Sequence, residues 1–233
     1  MSMPWVIDEL AHAGPEHLDA DFVAGFDRKQ GYPPVDEDLD VLRDHGALTE
    51  DSTVVDLGAG TGSFAVAAAS YCRRVVAVDV SPVMLEHVAD LVAARGLSNV
   101  EPVHAGFLSY DHAGEPADAV YCRHALHQIP DFWKGLALHR ISQTLRPGGV
   151  LRLRDLVYDF EPAEAEERLE DWMADAVLDP TVGYTREDFA THVRTEFSTY
   201  RWLLEPMIEA AGFEIVDGDV RRNIYASYTC LSR

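Results

Sequence analysis

The sequence predicts an α/β fold with a doubly wound, mostly parallel sheet, and three observations support this prediction. Short apolar runs without alternation, such as Thr53–Leu57, are typical of strands buried on both faces of a parallel sheet. Segments with helical periodicity separate these runs, as βαβ units require. At 233 residues the chain is long enough for one such core with an elaboration, but short for two independent domains.

One stretch carries the strongest signal for a binding site. The strand Thr53–Leu57 runs into the glycine-rich turn Gly58–Gly62, and a helix of small apolar residues follows. Glycines at alternate positions can take positive φ and leave no Cβ atoms in the way of a ligand. The next apolar strand, Val75–Val78, ends at Asp79, where an acid can accept hydrogen bonds from both hydroxyls of a ribose. The stretch therefore predicts a cofactor that contains a nucleoside.

Two kinds of cofactor compete for a glycine-rich turn of this type. The dinucleotide fingerprint G-x-G-x-x-G/A would place its third small residue at Ser63, whereas Gly62 comes one position early. The Tyr-x-x-x-Lys pair of short-chain dehydrogenases is also missing, because neither Lys29 nor Lys134 has a tyrosine four positions before it. An NAD(P)-dependent oxidoreductase remains an alternative function, and a non-catalytic cofactor-binding protein on the same fold is another.

The segment resembles the first motif of the class I S-adenosylmethionine-dependent methyltransferases, an acid followed after one residue by G-x-G-x-G. Here that motif is Asp56, Gly58, Gly60 and Gly62, and the resemblance extends from about Asp36 to the C-terminus. It implies a Rossmann-like sheet of seven strands with the last one antiparallel, and S-adenosyl-L-methionine as the cofactor. The cofactor-binding residues that the resemblance implies are Asp56, Gly58, Ala59, Gly60, Asp79, Val80, Met84, Gly106, Phe107 and Arg123.

Position 107 departs from the family pattern. Many members carry an acid after the glycine that follows strand three, where it receives the adenine amino group, but here Phe107 follows Gly106. Either the adenine is held by ring contact and backbone groups, or the acid is absent without replacement. Met84 lies at a family position near the adenine, although the pattern alone fits a core methionine at least as well.

The other elements of the core also alternate between strand and helix. Ser81-Pro82 opens a helix that Gly96 ends, and Pro147-Gly148-Gly149 ends the helix before strand five. The later strands are predicted over Asn99–His104, Ala117–Cys122, Val150–Val157, Phe213–Val216 and Asn223–Leu231, with a polar turn at Asp217–Asp219 between the last two.

Charged residues in strand five need an explanation, because a central parallel strand should be apolar on both faces. Arg152 and Arg154 point to one side of that strand. Either Asp155 and neighbouring acids pair with these arginines, or that face reaches a cleft. The acids of the helix predicted over 36–45 are interpreted as a solvated face.

Two histidines, His124 and His127, follow the carboxyl end of strand four, the edge where open α/β sheets bind ligands. They are the catalytic candidates, as bases that take a proton from a phenol, an alcohol or a protonated amine. His124 comes first after the strand and is the better placed, and a structural role is the alternative for both. The Asn/Asp-Pro-Pro-aromatic pattern of nucleic-acid amino methylation is absent, so the expected acceptor is an oxygen or nitrogen of a small molecule.

The sequence pattern divides the chain into three regions. Residues 1–35 form an irregular leader, which folds over the cofactor cleft in similar methyltransferases or packs on the sheet edge. Residues 36–160 and 207–233 form the core, and residues 161–206 form a helical cap insertion. Helical spacing from Leu169 to Val177 and a capping box of Thr185 and Asp188 predict two cap helices. Aromatic side chains that either line the acceptor pocket or pack within the cap are Tyr184, Phe189, His192, Phe197, Tyr200 and Trp202.

Charge and composition limit the expected partners. Forty acidic residues against nineteen basic ones give a net charge of −21, which disfavours nucleic acids and anionic membranes. No apolar run reaches the length of a membrane span, and acids stand where a signal peptide has bases, so a cytoplasmic location is expected. The three cysteines are expected to be reduced, and no histidine or cysteine spacing typical of a metal site is present.

Overall fold

The computed structural model describes residues 4–31 and 34–233, so residues 1–3 and 32–33 of the predicted leader lie outside the described residues. The strands are β1 (Thr53–Leu57), β2 (Arg74–Asp79), β3 (Val100–His104), β4 (Ala117–Arg123), β5 (Leu145–Tyr158), β6 (Thr199–Tyr200), β7 (Phe213–Arg221) and β8 (Tyr225–Ser232). The sheet has the order β3-β2-β1-β4-β5-β8-β7, and the two-residue β6 pairs separately with β5. Strand β8 runs antiparallel to both of its neighbours, β5 and β7, and all other pairs in this path are parallel, which confirms the predicted sheet.

The helices cover both faces of this sheet. They are α1 (Ala20–Lys29), α2 (Asp36–Asp44), α3 (Ser63–Ala68), α4 (Pro82–Ala94), α5 (Asp131–Thr144), α6 (Ala165–Met173), α7 (Arg186–Thr195) and α8 (Arg201–Ala210). As expected, Ser81 caps α4, because its side chain accepts a hydrogen bond from the Met84 backbone N–H at 3.1 Å. In the part of the chain that the structure describes, no helix is both long and apolar enough to cross a membrane.

The core lies on both faces because successive residues of a strand point to opposite sides. Val54 belongs to the cluster that includes Leu42 of α2 and Phe64 of α3. Its neighbour Val55 belongs to the cluster on the other face, with Leu138 of α5. All five residues of β1 are buried, as its short, mostly apolar run without alternation predicted. The glycine turn that follows β1 is therefore anchored on a rigid strand.

The charged residues of β5 pair with an acid that the sequence pattern placed on the surface. Asp38 of α2 is fully buried, and its carboxylate accepts from Arg152 Nε at 2.8 Å and from Arg154 Nη1 at 3.0 Å. The interpretation of the α2 acids as a solvated face is therefore wrong for Asp38. Asp155, the partner suggested by proximity in sequence, points to the opposite face of β5, because adjacent strand residues alternate.

Three boundaries in the C-terminal half correct the prediction. Helix α5 ends at Thr144 and β5 begins at Leu145, so the predicted helix end at Pro147-Gly148-Gly149 lies within that strand. Helix α6 ends at Met173, so Ala176 and Val177 lie in the following loop, where Val177 N donates to Tyr184 O at 2.9 Å. That backbone bond closes the loop and replaces a continued helical turn. The predicted turn at Asp217–Asp219 is also wrong, because β7 continues to Arg221.

The chain reverses instead at Arg222 and Asn223, whose φ angles are 55° and 60°. Consecutive positive φ values are typical of the short turns that match strand twist. Strand β7 lies at the edge of the sheet with exposed acids, and polar side chains are tolerated there. The polar residues Asp217–Asp219 of β7 therefore gave the sequence pattern of a turn.

Candidate functional site

A cavity of about 900 Å³ lies at the carboxyl ends of β1, β2 and β4, and leader, core and cap all contribute to its lining. This is the position at which open α/β sheets bind ligands, and its size suits a cofactor together with a small substrate. The structure brings all the predicted site residues to this cavity: Asp56, Gly58, Ala59, Gly60, Asp79, Val80, Met84, Gly106, Phe107, Arg123, His124 and His127.

The glycine turn forms one wall of the cavity, and its φ angles explain why glycine is required. Gly58, Gly60 and Gly62 have φ of 80°, 53° and 81°, values that side chains rarely permit. A Cβ on Gly58 would lie 2.5 Å from the Cβ of Ala125, so the turn packs tightly on the loop after β4. At Gly60, apart from the adjacent residues, no atom of the described part of the chain lies within 4 Å of the corresponding position. The backbone is thus open to a ligand at Gly60.

Asp79 joins this turn to the end of β2. One carboxylate oxygen accepts from Gly60 N and the other from Ser81 N, both at 2.8 Å. Burial raises the pKa of Asp79, and the hydrogen bonds from Ser81 and Gly60 oppose that rise. Each oxygen keeps further acceptor capacity, so the side chain can bind hydroxyl groups that enter the cavity.

Asp56 is a second buried acid in this wall. It accepts a hydrogen bond from Ala65 N at 3.1 Å, and burial raises its pKa to about 8. The nearby Asp79 carboxylate adds to the rise by charge repulsion. With a pKa of about 8 the Asp56 carboxyl is mostly protonated at neutral pH, and its contact with Ala65 N joins β1 to the start of α3.

The leader contributes an acid that sequence reasoning did not identify. The Glu9 carboxylate accepts from Leu108 N at 2.9 Å and from Ser109 Oγ at 3.0 Å, and burial raises its pKa. A Cβ at Gly106 would overlap this carboxyl group. Glu9 therefore lies beside Phe107, the position at which many family members carry an acid and this chain does not. The leader has no periodicity, so no sequence signal pointed to this contact.

Further contacts hold the leader on the cleft. Thr61 Oγ1 in the glycine turn donates to Asp27 Oδ1 of α1 at 2.6 Å, and Ser81 Oγ donates to His17 O at 2.7 Å. These contacts join the leader to the glycine turn and to the segment that follows β2. The leader thus lies against this wall of the cavity.

The two catalytic candidates have different environments. His124 adopts a positive φ of 50°, and burial lowers its pKa to about 3. Burial alone would also lower the pKa of His127, but the carboxylates of Asp155 and Glu196 outweigh it and raise the pKa to about 9. At neutral pH His124 is therefore uncharged, and His127 holds its proton between two acids.

The cap supplies part of its predicted aromatic set to the cavity. Tyr184, Phe189 and His192 line it, whereas Tyr200 and Trp202 stack on each other elsewhere with ring centroids 5.3 Å apart. Phe197 also lies away from the lining, and its ring meets that of His12 edge to face. Cap residues that line the cavity without having been predicted are Trp172, Asp188, Thr191 and Glu196.

Comparisons with known proteins agree with this geometry. A family model described as a methyltransferase domain matches residues 54–149. The chain is 33% identical over 145 residues to a carboxy-S-adenosyl-L-methionine synthase of Ectopseudomonas mendocina, and the match covers 58% of each chain. This chain therefore spans less than two thirds of that relative.

Two longer matches extend the comparison. The chain is 29% identical over 187 residues to a demethylmenaquinone methyltransferase of Clavibacter sepedonicus, which covers 77% of this chain and 71% of that one. The solved structure of a magnesium protoporphyrin IX methyltransferase from Synechocystis matches with a TM-score of 0.67 and 13% identity, over 97% of this chain and 100% of that one. At that identity the structural match shows a common fold.

Proposed function

Because this chain carries a class I S-adenosylmethionine-dependent methyltransferase domain, we propose that it transfers a methyl group from S-adenosylmethionine to an oxygen or nitrogen of a small molecule. The observation that carries this proposal is a single cavity in which the glycine turn and Asp79 face aromatic residues of the cap. One end therefore suits a nucleoside cofactor, and the other an organic acceptor.

The residues present fit the cofactor. Asp79 would accept the ribose hydroxyls, and the space at Gly60 would admit the ligand close to the main chain. Glu9 would receive the adenine amino group, in the role that an acid after Gly106 has in the family. When bound, S-adenosylmethionine supplies a methyl group activated by a positively charged sulfur.

The protein's own contribution to methyl transfer is mainly positioning. Holding the acceptor atom in line with the methyl group at near-contact distance removes much of the barrier. Trp172, Tyr184 and Phe189 offer aromatic surface for a ring-bearing acceptor, and Trp172 and Phe189 pack with centroids 4.6 Å apart. Of the two histidines, we assign proton removal to His124, because its uncharged ring keeps a lone pair.

A panel of acceptors tests the proposed reaction. Purified protein is incubated with S-adenosylmethionine and individual phenols, hydroxy acids or amines, and S-adenosylhomocysteine and methylated product are measured by mass spectrometry. At least one acceptor is expected to yield both products in equal amounts.

Tight cofactor binding without product from any acceptor would favour the non-catalytic binding protein. Reduction of a carbonyl substrate with NADPH would favour the oxidoreductase instead. The variant Phe189→Ala tests the acceptor side of the cavity. Loss of this aromatic contact should raise KM for the acceptor and leave cofactor affinity unchanged.

A further inference from the structure

Three polar side chains meet at the cap side of the cavity, away from the glycine turn. His127 lies in the turn after β4, His192 lies on α7, and Glu196 follows the end of α7. Glu196 Oε2 lies 2.9 Å from His127 Nε2 and 2.6 Å from His192 Nδ1. One potential ligand atom from each residue lies within 4.8 Å of the others. Two histidines and one carboxylate thus converge on a single point.

Other groups orient both histidines toward this point. Asp155 accepts a hydrogen bond from His127 Nδ1, which leaves Nε2 facing Glu196. Ser198 Oγ lies 2.8 Å from His192 Nε2, which leaves Nδ1 facing the same carboxylate. Metal-binding histidines characteristically have their second ring nitrogen held in this way by a carboxylate or another polar group.

The cluster is buried but is also part of the cavity lining. The side chains of His127, His192 and Glu196 are 5%, 11% and 20% exposed. All three line the cavity that contains the glycine turn, together with Trp172 of the cap. Among residues 4–31 and 34–233, no other group of histidines, cysteines and acids has this geometry. An ion held there would be shielded from bulk water but reachable by a ligand in the cavity.

We propose that His127, His192 and Glu196 bind a divalent transition-metal ion, with Zn²⁺ as the expected ion. Two imidazoles and one carboxylate form a donor set that suits Zn²⁺, and sites with three protein ligands keep a further position open. All three residues line the cavity, so a ligand in the cavity could reach an ion held there. The cluster joins the core to the cap, because His127 belongs to the core and the other two ligands to the cap.

The open position suits an oxygen of the acceptor. A divalent ion favours the ionised form of a bound hydroxyl and fixes its orientation, so phenols, enols and hydroxy acids are the acceptor class that the site selects. The inference about the acceptor class rests on the proposed methyl transfer, whereas the inference that the site binds a metal ion does not.

A titration with Zn²⁺ alone tests the site without cofactor or acceptor. The full-length protein is stripped with a chelator, dialysed and titrated by calorimetry. Co²⁺ is added in a parallel experiment, because its visible absorption reports the ligand geometry. The variants are Glu196→Gln, which keeps the size of the side chain, and His192→Ala. Matched controls are Glu187→Gln on α7, whose side chain is 78% exposed, and His139→Ala, which is exposed on α5.

One ion per chain is expected for the unaltered protein and both controls, with affinity at least tenfold lower in the two site variants. Absence of stoichiometric binding would overturn the proposal, as would equal affinity in Glu196→Gln and the unaltered protein. If His192→Ala fails to fold, Glu196→Gln decides the question. A positive result with no methyl transfer to any acceptor would contradict the proposed function but leave the metal site standing.

Discussion

Replacing Asp38 with alanine is expected to lower the free energy of unfolding by about 3–5 kcal/mol, the usual cost of removing one partner from a buried ion pair. Asp38 is fully buried, and Arg152 is only 2% exposed. The Asp38 carboxylate also accepts hydrogen bonds from Arg154 and from the Tyr121 hydroxyl, the latter at 3.1 Å. Alanine would leave the Arg152 guanidinium without its buried counter-ion, and only the exposed carboxylate of Glu37 would remain, 3.9 Å away.

Chemical denaturation measures this change, and Asp40→Ala is the matched control. Asp40 lies on the same helix, its side chain is 68% exposed, and it forms an exposed ion pair with Arg43. Since exposed ion pairs contribute little, this control should change the free energy of unfolding by less than about 1 kcal/mol. If Asp38→Ala were as stable as Asp40→Ala, the buried pair would not contribute to stability as described.

Replacing His124 with alanine is expected to lower turnover at least about a hundredfold, within the usual range for loss of a general base, and to leave cofactor affinity nearly unchanged. The ring of His124 is uncharged at neutral pH because burial lowers its pKa to about 3. Although such a ring is a weak base, an acceptor hydroxyl becomes much more acidic as its oxygen bonds to the methyl carbon. The proton can then move to His124 during the transfer.

The positive φ of His124 calls for a second variant. Alanine is disfavoured at φ 50°, whereas asparagine is enriched in this region, so His124→Asn removes the imidazole and keeps the backbone. Both variants should lose turnover on an acceptor that has a proton to give up. Near-normal turnover in His124→Asn would leave positioning as the mechanism and the histidine as part of the scaffold.

Local patterns were sufficient to predict that the glycine turn and Asp79 lie together at one wall of the cavity. The mostly apolar run of β1, the alternating glycines and the acid at the end of β2 lie close together in sequence, and their order and spacing predicted the strand, the turn and the strand end. Each of these residues acts through backbone geometry or through its position at a strand end. A single sequence reports such features directly.

The contacts that the sequence did not predict join residues far apart in the chain. Glu9 reaches Leu108, Asp38 reaches Arg152, and Glu196 reaches His127. None of these partners can be identified from spacing, because each contact depends on the packing of whole elements. Only His192 and Glu196, which lie one helical turn apart, offered a local signal for the metal-binding cluster.

Calorimetry with S-adenosylhomocysteine and NADH tests the central claim, that the glycine turn and Asp79 bind the cofactor. S-adenosylhomocysteine is expected to bind one to one, and NADH is not. Hydrogen bonds to a charged group contribute about 1.5–3 kcal/mol each, so Asp79→Ala should weaken binding more than tenfold. Binding of NADH alone, or unchanged S-adenosylhomocysteine affinity in a folded Asp79→Ala variant, would contradict the account.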